Sequence, residues 1–173
     1  YADFTASGRS LRRIEHSIQR FVLPFYGNTH TEASHTGSWT TRIREAARLA
    51  IRRSVNAAER HAVIFCGSGS TAAVHKLVTM LGMTLPAGSR EREILRSATP
   101  ESERPVVIVG PFEHHSNELP WRESLATVIR LPLDALGQPC VATLEERLLQ
   151  YADRPQRIVA LSAASNVTGV VTD

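Results

Sequence analysis

The sequence predicts an α/β protein with a mainly parallel sheet flanked by helices. Short apolar runs at 62–66, 106–109, 127–131 and 158–161 have the composition and length of strands buried on both faces. Segments with helical apolar spacing separate these runs along the chain. Alternation of buried strands with helices is typical of a parallel sheet whose crossover connections are helical.

The helices are predicted from apolar side chains that recur every three or four residues, at 9–22, 41–57, 72–81, 121–126 and 143–151. Pro24 ends the first helix, and Thr40 or Thr41 caps the second. The side chains expected to face inward are Leu11, Ile14, Ile18 and Phe21, then Ile43, Ala47, Ala50 and Val55, and finally Leu144, Leu148 and Leu149.

Two polar stretches are predicted to lie outside regular structure. Residues 25–39 are rich in Gly, Asn, Thr, Ser and His and form an extended loop, and residues 86–105 form a charged excursion on the surface. We expect residues 1–40 to be a helix-and-loop segment that leads into the main α/β layer.

Composition narrows the class of protein. A length of 173 residues suits one domain with a real core, and no apolar run is long enough to span a bilayer. The net charge of +3 comes almost wholly from arginine, without the dense basic block of a nucleic-acid-binding protein. Cys66 and Cys140 form neither a close pair nor a metal-spaced cluster, so we expect no metal site and a reducing, cytoplasmic setting. The start at Tyr1 without a leader indicates an excerpt or a processed product.

Three unusual segments follow predicted strands, at 67–71, 113–117 and 165–169. In open α/β sheets, functional residues gather beyond the carboxyl ends of the strands. The first segment is a glycine-rich turn that leads into a helix, where backbone N–H groups and the hydroxyls of Ser70 and Thr71 could bind a phosphate. A tight turn with a Ser or Thr cap is the alternative. A Walker loop and a dinucleotide fingerprint are both disfavoured by the residue spacing.

The other two segments each leave two interpretations open. Residues 113–117 carry two adjacent histidines, which point in different directions and rarely bind one metal ion together. An imidazole there could stack on a planar ligand, or the histidines could be structural. Asn166 could donate a hydrogen bond to a ligand, or it could make an Asx turn.

In combination, these segments resemble the class V aminotransferase family of fold-type I enzymes that use pyridoxal phosphate (PLP), near the cysteine desulfurase and selenocysteine lyase branch. The most specific match is His-His-Ser-Asn at 114–117 with Pro-Trp at 120–121. Other matches occur in the same order along the chain as in the family. They are the opening residues 1–7, His-Thr-Gly at 35–37, Gly-Ser-Thr-Ala at 69–72 and the segment 165–169. Ala72 departs from the family, which often has an acidic residue there.

The resemblance implies a role for each matching residue. Gly69, Ser70 and Thr71 would hold the cofactor phosphate, His114 would stack on the pyridine ring and relay protons, and Asn166 would bind the phenolic oxygen. His30 and His35 lie in a loop that could approach a partner's active site, although a surface position is the alternative. Lys76, the only lysine, does not match the family's Schiff-base lysine and is predicted to lie on a helix surface.

The resemblance also implies what the chain lacks. The Schiff-base lysine, the acidic partner of the pyridine nitrogen, the catalytic cysteine and the carboxylate-binding arginine are expected beyond Asp173. Residues 1–173 would then be the N-terminal part of the PLP-binding large domain, inactive alone. The expected enzyme is a homodimer that acts on an amino acid by a desulfurase or selenocysteine lyase type of elimination and passes sulfur to an acceptor protein, without nucleic acid or membrane as a partner. A transaminase, an epimerase, a kynureninase-like lyase and a non-catalytic phosphate-binding module remain alternatives.

Overall fold

The structure, a computed structural model, describes residues 1–172 with the exception of the Ser89 side chain. Its internal contacts divide the chain into two units, Tyr1–Phe65 and Cys66–Asp173. None of the helices within residues 1–172 is both long and apolar enough to cross a membrane.

The first unit begins with helix α1 (Arg12–Ser17), which continues as a π turn (Ile18–Val22) and a 3₁₀ turn (Leu23–Phe25). The prediction of a helix at 9–22 is therefore confirmed in type but not in the facing of its side chains. All four apolar residues expected to face inward, Leu11, Ile14, Ile18 and Phe21, are exposed. The helical spacing therefore predicted the helix but not the burial of these side chains.

Helix α2 (His35–Ser54) begins six residues earlier than the sequence suggested. Thr40 and Thr41 do not cap it, because Ser34 does: its Oγ accepts a hydrogen bond from the backbone N–H of Gly37 at 3.1 Å. Gly37 is buried, and a Cβ on it would collide with the carbonyl oxygen of Thr31. The loop predicted at 25–39 thus ends at Ser34. Ile43 and Ala47 are half-buried as expected, but Ala50 and Val55 are exposed.

The strand predicted at 62–66 is wrong. These residues have no strand structure, and Ile64 and Phe65 are about half exposed, at 48% and 50%. A β-strand exists only where a neighbouring backbone completes its hydrogen bonds. The strands found among residues 1–172 pair only with one another.

The second unit contains helices α3 (Ser70–Met80), α4 (Ser89–Ala98), α5 (Leu119–Arg122) and α6 (Val141–Gln150). Helix α4 lies inside the stretch 86–105 that was expected to be irregular. Helix α5 ends earlier than the predicted helix at 121–126, because Ser124 bonds the Trp121 carbonyl and the Ala126 N–H and so turns the chain. In α6, Leu144 and Leu148 pack inward, whereas Leu149 is exposed, contrary to expectation.

Strands β1 (Val106–Val109), β2 (Thr127–Arg130) and β3 (Arg157–Ala160) form a parallel sheet in the order β2-β1-β3. Val106 pairs with Thr127 on one side and with Arg157 on the other. Only β1 is fully buried; β2 and β3 are half-exposed, unlike the strands predicted. The parallel α/β architecture expected from the sequence is confirmed.

Both faces of β1 are covered. Val107 and Val109 pack against Val78, Met83, Trp121 and Ala126 on one face. Val106 and Ile108 pack on the other face against Leu131, with Leu144, Leu148 and Tyr151 at the edge of that cluster. The central strand therefore anchors the polar segment that follows it.

Candidate active site

The candidate site is built within the unit Cys66–Asp173. Because β1 and β3 are neighbouring parallel strands, the segments that leave their carboxyl ends emerge side by side. Helix α3 packs against the 3₁₀ turn His115–Asn117 that follows β1. The segment 113–117 therefore lies between the glycine turn and the residues that follow β3.

The glycine turn before α3 needs glycine at one position and leaves the helix start uncapped. Gly67 has a φ of +57°, and a Cβ there would collide with the Cβ of Ala72. Gly69 is the N-cap and provides no side-chain acceptor, so the first backbone N–H groups of α3 have no capping partner. The alternative of a Ser or Thr cap is therefore wrong, and Ser70 and Thr71 are exposed residues in the first helical turn.

A short hydrogen-bond chain links this helix start to His114. The hydroxyl of Ser70 donates to Ser116 Oγ at 3.3 Å, and Ser116 Oγ lies 2.9 Å from His114 Nδ1. The backbone N–H of Ser116 also donates to that nitrogen at 3.2 Å. Because an N–H can only donate, Nδ1 is an acceptor, and the neutral ring carries its proton on Nε2. His114 itself is exposed, and Ser116 is 9% exposed.

Glu113 joins the segment after β1 to the segment after β3. Its Oε1 accepts from the backbone N–H of Ser162 at 2.7 Å, and its Oε2 accepts from the Ser162 hydroxyl and from Asn117 Nδ2, both at 2.7 Å. Asn117 Oδ1 in turn accepts from the Trp121 indole N–H at 3.4 Å. These bonds hold the loop that carries His114 against the loop that leads to Asn166.

The turn that carries Asn166 is closed by its neighbour. The hydroxyl of Ser165, a residue only 8% exposed, accepts from the backbone N–H groups of Val167 and Thr168 at 3.2 and 3.1 Å. The N–H of Gly169 donates to the Ser165 carbonyl at 3.1 Å. Ser165 therefore makes the turn that was offered as the alternative role of Asn166, whose side chain is exposed.

Hydrogen bonds connect some of the residues singled out in the sequence and leave others apart. Ser70 and His114 belong to one chain of bonds, whereas the exposed side chains of Thr71 and Asn166 have no hydrogen bond to it within residues 1–172. His35 lies edge-on to Phe25, with ring centroids 5.6 Å apart, and His30 is exposed. Lys76 is exposed on α3, as predicted.

Sequence reasoning missed Ser116 as the link between Ser70 and His114, and Glu113 as the link to Ser162. Both lie in the polar segment 113–117 that the sequence did single out. Only the pairing of β1 with β3 could have indicated the partner of Glu113, because the two residues are 49 positions apart.

Comparison with known proteins identifies the family. The aminotransferase class-V family model matches residues 1–173. A "Probable cysteine desulfurase" of Halalkalibacterium halodurans is 27% identical over 175 residues, which are 99% of this chain and 38% of that protein. "Cysteine desulfurase CsdA" of Escherichia coli is 28% identical over 177 residues, covering 100% of this chain and 39% of that protein.

A crystal structure agrees with these relatives. The cysteine desulfurase CsdA (S-sulfonic acid) from Escherichia coli superposes with a TM-score of 0.64 at 26% identity, over 98% of this chain and 38% of that one. The chain thus spans somewhat more than a third of the length of the relatives it matches. The family resemblance drawn from the segments 67–71, 113–117 and 165–169 is confirmed: this chain belongs to the class-V aminotransferase family.

Proposed function

We propose that this chain is the N-terminal part of a PLP-dependent enzyme that acts on an amino acid, and that the reaction is the desulfuration of cysteine. The proposal depends on one observation, the hydrogen-bond chain Ser70–Ser116–His114 beside the uncapped start of α3. The names of the relatives, cysteine desulfurases, direct the choice of reaction within the family.

The described residues fit a flat phosphorylated cofactor. The start of α3 offers uncapped N–H groups and the hydroxyls of Ser70 and Thr71, and a side chain at Gly67 would collide with Ala72. Backbone N–H groups at the start of a helix are a suitable site for a phosphate. These residues would hold the phosphate, and the amide of Asn166 would bind the phenolic oxygen of the ring.

His114 would orient the cofactor through its imidazole ring. Its Nδ1 is hydrogen-bonded to Ser116, which fixes the orientation of the ring. Its Nε2 carries the proton that can be donated to substrate or solvent. When bound, PLP supplies an electron sink for the carbanion next to the amino group of the substrate. The contribution of this chain is to bind, orient and exchange a proton.

The residues that complete the chemistry are proposed to lie outside this chain. Lys76 is exposed on α3, and we propose that it is not the covalent anchor of the cofactor. We therefore place the anchoring lysine, the acid that faces the pyridine nitrogen and the catalytic cysteine in the remainder of the protein. The proposal also includes a cytoplasmic homodimer and an acceptor protein for the sulfur.

Spectroscopy and product analysis of the full-length protein test this function. The purified protein should show a cofactor absorbance near the edge of the visible range. Cysteine should yield alanine together with protein-bound sulfur, which an added thiol reductant releases as sulfide. Transfer of the amino group to a keto acid would instead indicate a transaminase. Selenocysteine supplied as the alternative substrate separates the desulfurase from a selenocysteine lyase. A protein that neither contains nor binds PLP would contradict the proposal.

A phosphate-binding module without catalysis is the second candidate, because the uncapped start of α3 needs only a phosphate as its ligand. It would bind PLP or inorganic phosphate without turnover, and the full reading frame would contain no lysine at the family's anchoring position. Sequencing that reading frame decides between the two candidates before any assay.

A further inference from the structure

We propose that Glu113 is a positioning residue that fixes His114 relative to Asn166 by clamping the loop after β1 to the loop after β3. This inference rests on the proposed function, because it assigns to Glu113 the placing of two cofactor contacts. Glu113 would contact neither the cofactor nor the substrate, and its effect would pass through the backbone of the two loops.

The bonds of Glu113 fit a clamp better than an acid or base. Three donors point at its two oxygens: the N–H and the hydroxyl of Ser162, and the amide N–H of Asn117, each at 2.7 Å. Both oxygens are therefore used as acceptors within the protein. Hydrogen bonds to a charged acceptor are among the stronger ones in proteins, and several of them on one carboxylate fix its position.

The clamp holds both ends of the candidate site. On one side, Glu113 directly precedes His114 in the chain. On the other side, Ser162 is tied to the Asn166 turn, because its carbonyl accepts from the Thr172 hydroxyl at 3.0 Å and the Thr172 N–H donates to the Ala163 carbonyl at 2.9 Å. The turn at 165–169 lies between these tied residues.

Gly110 provides independent support. A Cβ at position 110 would lie 2.6 Å from Glu113 Oε1 and 3.2 Å from a methyl carbon of Leu161. Glycine at this position leaves room for the carboxylate where it now lies. The φ of Gly110 is not in the left-handed region, so an alanine there would act through this contact and not through backbone strain. Gly110→Ala would push the flexible end of Glu113 away from Ser162 while leaving the Glu113 side chain in the protein.

The test uses the full-length holoenzyme with Glu113→Gln, Gly110→Ala and the double variant. The glutamine side chain has only one oxygen, so at least one of the three donors loses its acceptor. We expect each single variant to bind PLP roughly 10-fold more weakly, with an altered circular dichroism of the bound cofactor band. The double variant should be little weaker than either single variant, because both remove the same contact.

Leu148→Ala is the matched control. Leu148 packs on the opposite face of β1, so its truncation should lower stability without disturbing the bonds of Glu113. Its bound cofactor should keep the wild-type circular dichroism even if its thermal midpoint falls as far as that of Glu113→Gln. Variants that match the wild type in PLP affinity and dichroism would overturn the clamp while the proposed function stands. An equal spectral change in Leu148→Ala would also overturn it. A wild-type protein without any PLP binding would overturn both proposals.

Discussion

At the residue scale, the neighbours of a polar side chain decide which of its atoms remain available for chemistry. The Nδ1 of His114 is occupied by Ser116, whereas the residue itself is exposed. The hydroxyl of Ser165 makes the hydrogen bonds that close the turn at 165–169, and Asn166 in that turn stays exposed. Residue types alone could not distinguish these roles, because histidine and asparagine are common in structural turns too.

Two substitutions of His114 separate its stacking from its proton chemistry. His114→Ala should weaken PLP binding several-fold, since stacking of aromatic rings contributes about 0.5–1.5 kcal/mol, and it should alter the cofactor absorbance. His114→Phe should keep most of the affinity and lose turnover. Because the ring is exposed, the unfolding midpoint should change little in either variant. A large fall in stability without any spectral change would show that His114 is structural.

Cys140 is predicted to be more acidic than an ordinary thiol. The hydroxyl of Thr143 lies 3.3 Å from its Sγ at the start of α6, and this side chain, followed by the backbone N–H of Thr143, lowers the pKa of Cys140. A hydrogen bond donated to sulfur stabilises the thiolate, so the proton leaves at a lower pH.

Alkylation with iodoacetamide across a pH series, with the modified residue located by mass spectrometry, measures this shift. The midpoint of Cys140 modification should rise in Thr143→Ala and stay near the wild-type midpoint in Thr143→Ser, which keeps the hydroxyl. Equal midpoints in all three proteins would contradict the role of Thr143.

At the scale of secondary-structure elements, one buried carboxylate joins a helix to a strand. Glu118 precedes α5 and is 4% exposed, and its Oε1 bonds Arg122 Nη2 on α5 at 2.6 Å and Arg130 at the end of β2. By contrast, Glu101 pairs with Arg154 from an exposed position, at 66% exposure. Both glutamates form ion pairs with arginine, but Glu118 is buried and Glu101 is exposed.

Removing these two carboxylates should therefore have unequal effects on stability. Glu118→Ala should lower the free energy of unfolding by about 1–3 kcal/mol, because the buried site loses charge-assisted bonds while the half-exposed arginines can still be hydrated. Glu101→Ala should lower it by less than about 1 kcal/mol. Urea unfolding monitored by tryptophan fluorescence compares them, and equal losses would contradict the role given to Glu118.

At the scale of the whole molecule, cofactor binding and folding should be linked. A ligand that binds only the native state stabilises it by about 2.7 kcal/mol at 100 times its dissociation constant. PLP should therefore raise the thermal midpoint of the full-length apoprotein in a concentration-dependent way. Pyridoxal, which lacks the phosphate, should raise it less if the start of α3 holds the phosphate. Equal stabilisation by the two compounds would contradict a phosphate site at 67–71.

The sequence by itself determined the features that depend on neighbouring residues. The apolar runs that became β1, β2 and β3, with helical segments between them, predicted a parallel α/β fold. The polar segments 67–71, 113–117 and 165–169 predicted the family. The same kind of pattern failed at 62–66, because a strand depends on a partner that the run itself does not specify.

Tertiary structure alone decided which distant residues meet. The bond from Ser70 to Ser116 spans 46 positions and the bond from Glu113 to Ser162 spans 49, and both exist because β1 and β3 are adjacent and α3 packs beside them. Which side chains face the core was decided in the same way, since Leu11 and Leu149 have the spacing of core residues but are exposed. The residue type determines which bonds a side chain can form, and the tertiary fold determines which partners lie within reach of it.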